Sequence, residues 1–249
     1  MAQQEWLIGI DDTDNLESRG TGHRVRMLGE QLASANLADV RGITRHQLLV
    51  DPRIPYTSHN SSACMQILAD EAASDEIYAF CREFLLQESA PGSDAGLCMA
   101  QRSAVDEAVV AFGLLAKTQV LTIQVAQQLA QSRAIRLEGL TGTGGGMIGA
   151  LAAIGLRVEG NDGRFLWLPR LRQLQGIYTV ERLCQLVPIE LIQDRGGSPI
   201  PGHERIEIGE WPRPIMRNGK ILLLVDKAEN HDQFEWQVAD KQSIKQLSE

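Results

Sequence analysis

Near the amino terminus, an apolar run ends in three carboxylates: Trp6-Leu7-Ile8-Gly9-Ile10-Asp11-Asp12-Thr13-Asp14. The apolar and β-branched residues over 6–11 predict a buried strand. A polar, glycine-bearing loop follows over 12–22, and apolar residues then recur at helical spacing, which predicts an amphipathic helix over about 23–36. The stretch therefore predicts a strand whose carboxyl end carries acidic side chains and leads, through a loop, into a helix.

The residues up to about 100 continue this alternation of strands and helices. Further strands are predicted over 39–50, 62–69 and 96–100, and a helix is predicted over 74–88, with Ser74 as its N-cap. The order strand, helix, strand, strand, helix, strand is the ferredoxin-like βαββαβ pattern. The predicted fold class is accordingly α+β, with this ferredoxin-like unit at the amino terminus.

Additional helices and a small, mostly β unit are predicted in the rest of the chain. Two of the helices are predicted over 103–117 and 122–133. An alanine-rich helix follows the glycine loop 141–146 and is expected to end at Gly155 as its C-cap. After a strand-like segment at 164–168, short apolar runs alternate with glycine and proline clusters. We therefore predict two domains, 1–171 and 172–249, of which the second is small and mostly β.

The composition is that of a globular protein with an acidic balance. The chain has 249 residues, of which 43% are hydrophobic and 22% charged, and its formal net charge is −8. This charge argues against a broad, non-specific grip on nucleic acid. No apolar stretch reaches the roughly 20 residues that a membrane span needs, and no secretory signal opens the sequence. A cytoplasmic protein without a membrane partner is expected, and a homo-oligomer is left open.

The cysteines and histidines do not form a metal-binding pattern. The cysteines stand far apart, at Cys64, Cys81, Cys98 and Cys184. Without a C-x-x-C pair they predict neither a zinc site nor a disulfide framework, and Cys64 and Cys81 are expected in the core. The histidines form no H-x-x-x-H or H-E-x-x-H arrangement, which disfavours a catalytic zinc. His23 and His59 lie beside candidate pocket loops, where an ordinary polar role and a catalytic role are both open.

The acidic loop carries most of the functional prediction. Asp11, Asp12 and Asp14 repel one another unless a positive charge neutralises them. At the carboxyl end of a strand the natural neutralising partner is Mg²⁺ with nucleotide phosphates. In an extended segment, Asp12 and Asp14 would point to one side as metal ligands, and Asp11, on the other side with Thr13, would anchor the loop or act as a base. The alternative is a solvated acidic turn whose aspartates cap the next helix.

Two glycine loops are candidate phosphate sites. Gly20-Thr21-Gly22 leads into the first predicted helix, whose N–H groups and dipole favour an anion. The second loop, 142–146, precedes the alanine-rich helix and lacks the Walker A pattern. Because the first lysine is Lys117, phosphates near the amino-terminal loop would be met by a metal, backbone N–H groups or arginines such as Arg24 and Arg45. Either loop could instead be a flexible turn.

A polar cluster follows the proline-rich connector 51–55. Its members are Ser58, Asn60, Ser61 and Ser62. Such a cluster suits hydrogen bonding to a polar ligand, and it is equally compatible with a simple loop.

Three segments occur in an order known from one enzyme family. They are Ile8-Gly9-Ile10-Asp11-Asp12-Thr13-Asp14, Asp51-Pro52-Arg53-Ile54-Pro55-Tyr56 and Ile148-Gly149-Ala150-Leu151-Ala152-Ala153-Ile154-Gly155. Together they resemble the archaeal 2-agmatinylcytidine synthetase family, whose members modify an isoleucine tRNA. The resemblance covers the first predicted domain. It implies a kinase-type, nucleotide-binding domain that uses ATP and Mg²⁺ to phosphorylate a cytidine carbonyl, so that agmatine can displace the phosphate.

The resemblance and the loop patterns together predict a set of site residues. The resemblance places Asp11, Asp12 and Asp14 at the metal and phosphate site. The metal ligands are expected to be Asp12 and Asp14, with His23 as a further catalytic candidate. The predicted nucleotide-binding residues are Thr13, Gly20, Thr21, Gly22, Arg24, Arg45, Gly144, Gly145, Gly146 and Gly149.

The sequence also departs from the family pattern. His23 stands where the family has a threonine that can be self-phosphorylated, and residues 57–61 match the segment after the I-P turn only loosely. The OB-fold and zinc ribbon that hold the tRNA in the family are not expected within these 249 residues, whose cysteines show no zinc-binding pattern. We therefore expect an ATP- and Mg²⁺-dependent phosphoryl-transfer enzyme with an unknown small-molecule or RNA acceptor. The alternatives are a nucleotide-binding regulatory protein without turnover and a tRNA-modifying enzyme that needs a partner to bind tRNA.

Overall fold

The structure, a computed structural model, describes residues 3–54, 60–229 and 233–248. Contacts within the chain divide it into two compact units, Met1–Glu159 and Gly160–Glu249. The sequence-based boundary lies later, between residues 171 and 172, because the strand-like segment after the alanine-rich helix was assigned to the first domain. In the structure that segment pairs with a strand of the second unit. No described helix is long and apolar enough to span a membrane.

Met1–Glu159 contains the predicted ferredoxin-like unit. Its first elements are β1 Gln4–Asp11, α1 Thr21–Ser34, β2 Asp39–Gln47, β3 Ser61–Ala69, α2 Ser74–Glu88 and β4 Gly96–Gln101. The strands pair in the order β4-β1-β3-β2, and all three pairings are antiparallel. This is the arrangement that the βαββαβ order predicts, and the α+β fold class is confirmed.

Further helices and an edge strand complete this unit. They are α3 Glu107–Ala116, α4 Ile123–Ser132, β5 Arg136–Gly139 and α5 Gly146–Glu159. The helices α3 and α4 confirm the two predicted ones, although each is shorter than predicted. The sequence did not predict β5, which pairs with β4, because four residues without apolar alternation carry no strand signal.

The core of Met1–Glu159 lies between the sheet and the helices α3, α4 and α5. Leu7, Cys64, Phe112 and Leu151 are among its buried side chains. Helix α1 packs on the opposite face, where its Gly29 lies against Ile43 and Met65. The prediction that Cys64 and Cys81 are core residues is confirmed, and burial raises the pKa of each thiol to about 12. Neither is therefore a reactive thiolate.

Two predicted helix ends are wrong. A 3₁₀ turn, Glu71–Ala73, precedes α2, so Ser74 is the first residue of the helix and not its N-cap. Helix α5 continues past Gly155 to Glu159. Gly155 lies at a contact between helices, where a Cβ would overlap the backbone oxygen of Val109 in α3. This glycine therefore allows close packing and does not end the helix.

Gly160–Glu249 is mostly β, as predicted. Its elements are β6 Arg164–Trp167, β7 Gly176–Thr179, α6 Val180–Leu186, β8 Leu191–Gln193, β9 Arg205–Ile208, β10 Ile215–Arg217, β11 Lys220–Lys227, β12 Trp236–Val238 and α7 Lys241–Ser248. The strands follow the order β6-β10-β11-β12-β9-β7, and β8 pairs with β11. The two helices were not predicted. Leu183, Ile206 and Leu223 lie at the centre of this unit's own core.

Candidate functional site

A cavity of about 210 Å³ lies in Met1–Glu159 at the end of β1 that carries the acidic loop. It is lined by the acidic loop, the turn before β4, the start of β3, the α3–α4 connection and the first turn of α5. The residues around its acidic end are Asp11, Asp12, Asp14, Thr21, Asp94, Thr143, Gly145, Gly146 and Gly149. Those around its more apolar end include Leu48, Ile54, Ala116, Val120, Leu121 and Ile148.

Asp11 is the most buried carboxylate of the cavity, with 8% of its surface exposed. Its side chain lies against α5, where a Cβ on Gly149 would overlap the Asp11 Oδ2 atom. Burial, followed by repulsion from Asp12 and Asp14, raises the pKa of Asp11 to about 8. Without a nearby cation, this carboxyl group therefore holds its proton at neutral pH.

Asp12 has a left-handed backbone, with φ of 50°. A non-glycine residue there costs free energy, and aspartate is among the residues that tolerate it best. The Asp12 backbone oxygen accepts a hydrogen bond from the Asp94 N–H at 3.1 Å, which fixes this conformation. Burial, followed by repulsion from Asp94 and Asp14, raises the pKa of the Asp12 carboxyl to about 6. The extended geometry that would alternate the loop side chains is thus interrupted at Asp12.

Asp14 and Thr13 attach the acidic loop to the start of α1. Asp14 Oδ1 accepts hydrogen bonds from the Thr21 N–H at 3.0 Å and from the Thr21 hydroxyl at 2.7 Å. The Thr13 N–H donates to Thr21 Oγ1 at 3.1 Å, and Thr13 is fully buried. One oxygen of Asp14 therefore caps the helix, as the alternative interpretation of the loop proposed, while Asp14 also lines the cavity.

Asp94 is a cavity carboxylate that the sequence did not single out. It accepts hydrogen bonds from the Gly144 N–H and the Thr143 hydroxyl, both at 2.5 Å, and its backbone oxygen accepts from the Gly146 N–H at 3.0 Å. The second glycine loop is thus closed around a protein carboxylate. The predicted topology could have pointed to Asp94, because β4 runs antiparallel to β1 in a ferredoxin-like order. An aspartate just before β4 must therefore lie beside Asp11.

The positive charge on the cavity wall was also missed. Arg53 lines the cavity, and its guanidinium forms a 2.8 Å ion pair with Asp51. Its side chain is largely exposed. Arg53 belongs to the connector Asp51-Pro52-Arg53-Ile54-Pro55-Tyr56, whose residues are not among the predicted site residues. Among the described residues that line the cavity, Arg53 is the one arginine, and no lysine is present. Arg53 is therefore the basic side chain there that could contact a phosphate.

Several predicted site residues lie away from the cavity wall. Arg24 donates to the backbone oxygens of Glu88 and Arg19. The His23 ring lies between Arg19 and Arg26, at 3.3 and 3.5 Å from their nitrogens. Partial burial and these arginines lower the pKa of His23. The predicted residues that do not line the cavity are Thr13, Gly20, Gly22, His23, Arg24, Arg45 and Gly144, and their ligand contacts stay predictions.

The polar cluster after the connector is described only in part. Pro55, Tyr56, Thr57, Ser58 and His59 lie outside the described residues. The Asn60 amide donates to the Leu49 backbone oxygen at 2.6 Å, and Ser61 accepts from Arg45 Nε at 2.8 Å. Both Asn60 and Ser61 line the cavity. Arg45 therefore reaches the cavity wall through Ser61.

The donor atoms suit a hard cation that arrives with other ligands. Among the described residues, no group of three or more histidine, cysteine, aspartate or glutamate side chains could hold a metal ion. Mg²⁺ does not need such a group, because it is usually bound by one or two carboxylates together with water and phosphate oxygens. Asp12 and Asp94 offer oxygen donors beside Asp11, and the crowding of the three carboxyl groups would be relieved by positive charge. The residues therefore fit Mg²⁺ carried by a nucleotide.

The chain is similar to several solved structures, although no family model and no curated protein matches it. Among these structures, a tRNA fluorescent labeling enzyme is 25% identical with a TM-score of 0.53, over 61% of this chain and 36% of that one. A complex of TiaS with its isoleucine tRNA and ATP is 22% identical with a TM-score of 0.55, over 73% of this chain and 44% of that one.

A third similar structure is apo TiaS, described as an agmatidine synthetase that acts on an isoleucine tRNA. It is 24% identical, with a TM-score of 0.52, over 61% of this chain and 35% of that one. The chain thus spans less than half of the length of each of these proteins. The resemblance inferred from the sequence motifs is supported at the level of the fold. This chain shares its fold with part of TiaS.

Proposed function

We propose that this chain binds ATP with Mg²⁺ in the acidic cavity and transfers or activates a phosphoryl group on a small molecule or an RNA. The observation that carries the proposal is the convergence of Asp11, Asp12 and Asp94 on one cavity beside the start of α5. Partly or fully buried carboxylates that line one cavity are costly unless a cation neutralises them. The shared fold with TiaS, which is known in complex with ATP, supports the choice of nucleotide.

The structure limits which groups can meet the phosphates. At the start of α5, the N–H groups of Gly146, Met147 and Ile148 already donate to backbone oxygens. A phosphate there would be attracted by the helix dipole but would not gain these donors. Mg²⁺ held by Asp12 and a neighbouring carboxylate would supply most of the charge neutralisation. Arg53 would add a second positive charge at the cavity wall.

Asp11 has a separate role in the proposed reaction. Its contact with Gly149 fixes the carboxyl group against α5, so it cannot turn freely toward a metal. Its pKa is raised to about 8 without a cation, and a neighbouring Mg²⁺ would lower it. Asp11 could then hold or release a proton close to neutral pH, as a general acid or base requires. Asp11 would therefore position the loop and exchange a proton with the acceptor group. Catalysis would otherwise rest on orientation and charge neutralisation, as in phosphoryl transfer generally.

Calorimetry with ATP·Mg²⁺ tests the proposal. We expect the wild type to bind, and Asp12→Asn and Asp94→Asn each to weaken binding by about tenfold or more, which corresponds to about 1.4 kcal/mol. Asp39→Asn is the matched control, since Asp39 is an exposed carboxylate of the same unit, paired with Arg41. It should bind ATP like the wild type. A folded wild type that fails to bind at millimolar ATP·Mg²⁺ would refute the nucleotide site.

A regulatory protein without turnover is the second candidate. The observation that favours it is the position of His23, which interacts with Arg19 and Arg26 and does not line the cavity. His23 occupies the position of the family's threonine, so that threonine's hydroxyl group is missing at position 23. The nearby Thr21 lines the cavity. ATP binding without release of ADP, measured with candidate acceptors and with tRNA, would favour this function over the enzyme. A tRNA-modifying enzyme that requires a partner would instead turn over ATP only when tRNA and the partner are both added.

A further inference from the structure

The second unit, Gly160–Glu249, presents an exposed tryptophan stacked on an arginine. Trp211 is 59% exposed and precedes β10. The guanidinium carbon of Arg172 lies 4.5 Å from the centre of a Trp211 ring. Arg172 also donates to the Leu166 backbone oxygen at 3.0 Å. This second contact holds the guanidinium in place, so the aromatic ring and the positive charge form a fixed pair.

Two more arginines lie close to this pair along the chain. Arg170 is exposed and precedes Arg172 by two residues, and Arg213 follows Trp211 by two and is partly buried. Burial lowers the pKa of the Arg213 guanidinium, although the group stays charged at neutral pH. Within the described residues, none of the three arginines forms an ion pair with a carboxylate. Glu210 is the acidic side chain beside Trp211. We call Arg170, Arg172, Trp211 and Arg213 the Trp211 surface.

The shape of this region favours a ligand that lies on the surface. The cavity beneath Trp211 is only about 10 Å³, which is too small for an organic ligand. It is closed by apolar side chains, among them Phe165, Leu168, Leu171 and Pro212. These residues line the small cavity together with Trp211. A ligand can therefore reach the exposed part of the ring but cannot enter beneath it.

We propose that the Trp211 surface binds single-stranded nucleic acid, with a base stacked on Trp211 and the neighbouring phosphates contacted by Arg172, Arg170 and Arg213. Every base has a flat π face that can stack on an aromatic side chain, and single-strand binders combine such stacking with positive charge along the backbone. Arginine suits both tasks, because its planar guanidinium stacks on rings and forms paired hydrogen bonds with phosphate oxygens. The inference does not depend on the ATP site.

Fluorescence anisotropy with a labelled single-stranded RNA of about 12 nucleotides, within the site sizes of such proteins, tests the proposal. The titrations are made without ATP and Mg²⁺ and over a range of salt concentrations. We expect Trp211→Ala to weaken binding about tenfold and to leave the salt dependence unchanged, while Trp211→Phe keeps most of the affinity. Arg172→Ala should reduce the slope of log K against log salt by about 0.7, the value for one phosphate contact on a single strand.

The controls separate stacking from general effects. Arg182→Ala removes an exposed arginine of α6 that contacts Gln185 and lies outside the Trp211 surface, so it should bind like the wild type. Thermal unfolding checks that each variant is folded. The proposal is overturned if the folded wild type does not bind the strand at about 50 mM salt, or if Trp211→Ala binds as well as wild type. It is also overturned if free AMP competes as strongly as the strand. Failure of ATP binding at the acidic cavity would change none of these outcomes.

Discussion

The acidic cavity of Met1–Glu159 and the Trp211 surface of Gly160–Glu249 are opposite in charge, shape and burial. The cavity is concave, with Asp11 buried and its carboxyl pKa raised to about 8. The Trp211 surface is open, with Trp211 and Arg172 exposed and stacked on each other. A ligand of the cavity has to bring positive charge, such as a metal, whereas a ligand of the surface has to bring negative charge. The net charge of −8 is the sum over the whole chain, so it does not reveal the local positive charge of the Trp211 surface.

The largest expected effect concerns the packing of β1 against α5, the two elements that carry Asp11 and Gly149 of the cavity. At Gly9 in β1, a Cβ would overlap the backbone oxygen of Ala150 in α5, and neither backbone can move without shifting a core element. We expect Gly9→Ala to lower the free energy of unfolding by about 3 kcal/mol, the upper end for overpacking. Urea unfolding followed by circular dichroism measures it.

The matched control for that substitution lies in the second unit. Gly209 has no atom within 4 Å of an added Cβ, so Gly209→Ala should change the free energy of unfolding by less than about 0.5 kcal/mol. Equal effects of the two substitutions would show that β1 and α5, which carry the cavity, are less tightly packed than the structure indicates. The contrast between a closely packed cavity and an open surface would then fail.

The next effect concerns the proton on Asp11. The pKa of its carboxyl is about 8 in the folded chain, against an ordinary value of 3.8, so between these values the folded state holds a proton that the unfolded state releases. The contribution of Asp11 to the free energy of unfolding must therefore fall as pH rises from about 4 to about 8. Asp11→Asn cannot ionise, and we expect it to be more stable than the wild type at pH 8 by about 1 kcal/mol or more.

Urea unfolding at several pH values, without nucleotide or divalent ions, measures this difference. The free energy of unfolding should change less steeply with pH in Asp11→Asn than in the wild type. Asp39→Asn, which alters an exposed carboxylate of the same unit, should keep the wild-type slope. If Asp11→Asn keeps it as well, Asp11 is ionised in the folded protein and some other group already neutralises it.

The fold of the first unit could largely be predicted from local patterns. Alternation and helical periodicity gave the βαββαβ order, and the strand pairing followed from it. The errors fall where distant contacts decide. Strand β5 is visible only as a partner of β4, and Gly155 looks like a helix end until α3 is placed against it. Local sequence contains neither contact.

The site was predictable to a similar degree. Asp11, Asp12 and Asp14 were found because they are adjacent in sequence, and they do line the cavity. Asp94 was missed because only the pairing of β4 with β1 brings it to Asp12. Arg24 looked like a phosphate ligand from its position beside a glycine loop. Its guanidinium donates to the carbonyl oxygens of Glu88 and Arg19, contacts that sequence position does not reveal, and its contact with a phosphate stays a prediction.

The smallest expected effect concerns the stability of the second unit at acidic pH. In the second unit, Glu235 accepts hydrogen bonds from the Arg205 side chain at 2.6 Å and from the Arg205 N–H at 2.8 Å, which lower its carboxyl pKa from 4.5 to about 2. The stability that this carboxylate contributes is present above about pH 4.5 and is lost as pH falls toward about 2. The cavity thus loses stability as pH rises and this ion pair as pH falls.

The substitution Glu235→Gln tests that opposite sign. The variant should be slightly less stable than the wild type at neutral pH, and the difference should shrink as pH falls toward about 2, because the wild-type carboxylate becomes protonated there. The effect is small because the pair is exposed and screened by solvent. Thermal unfolding between pH 2 and pH 7 measures it, with Glu229→Gln, an alteration of another carboxylate of the same unit, as control. If the difference between Glu235→Gln and wild type is constant over this range, the ion pair with Arg205 does not bias the protonation of Glu235, and this ion pair does not lose stability as pH falls.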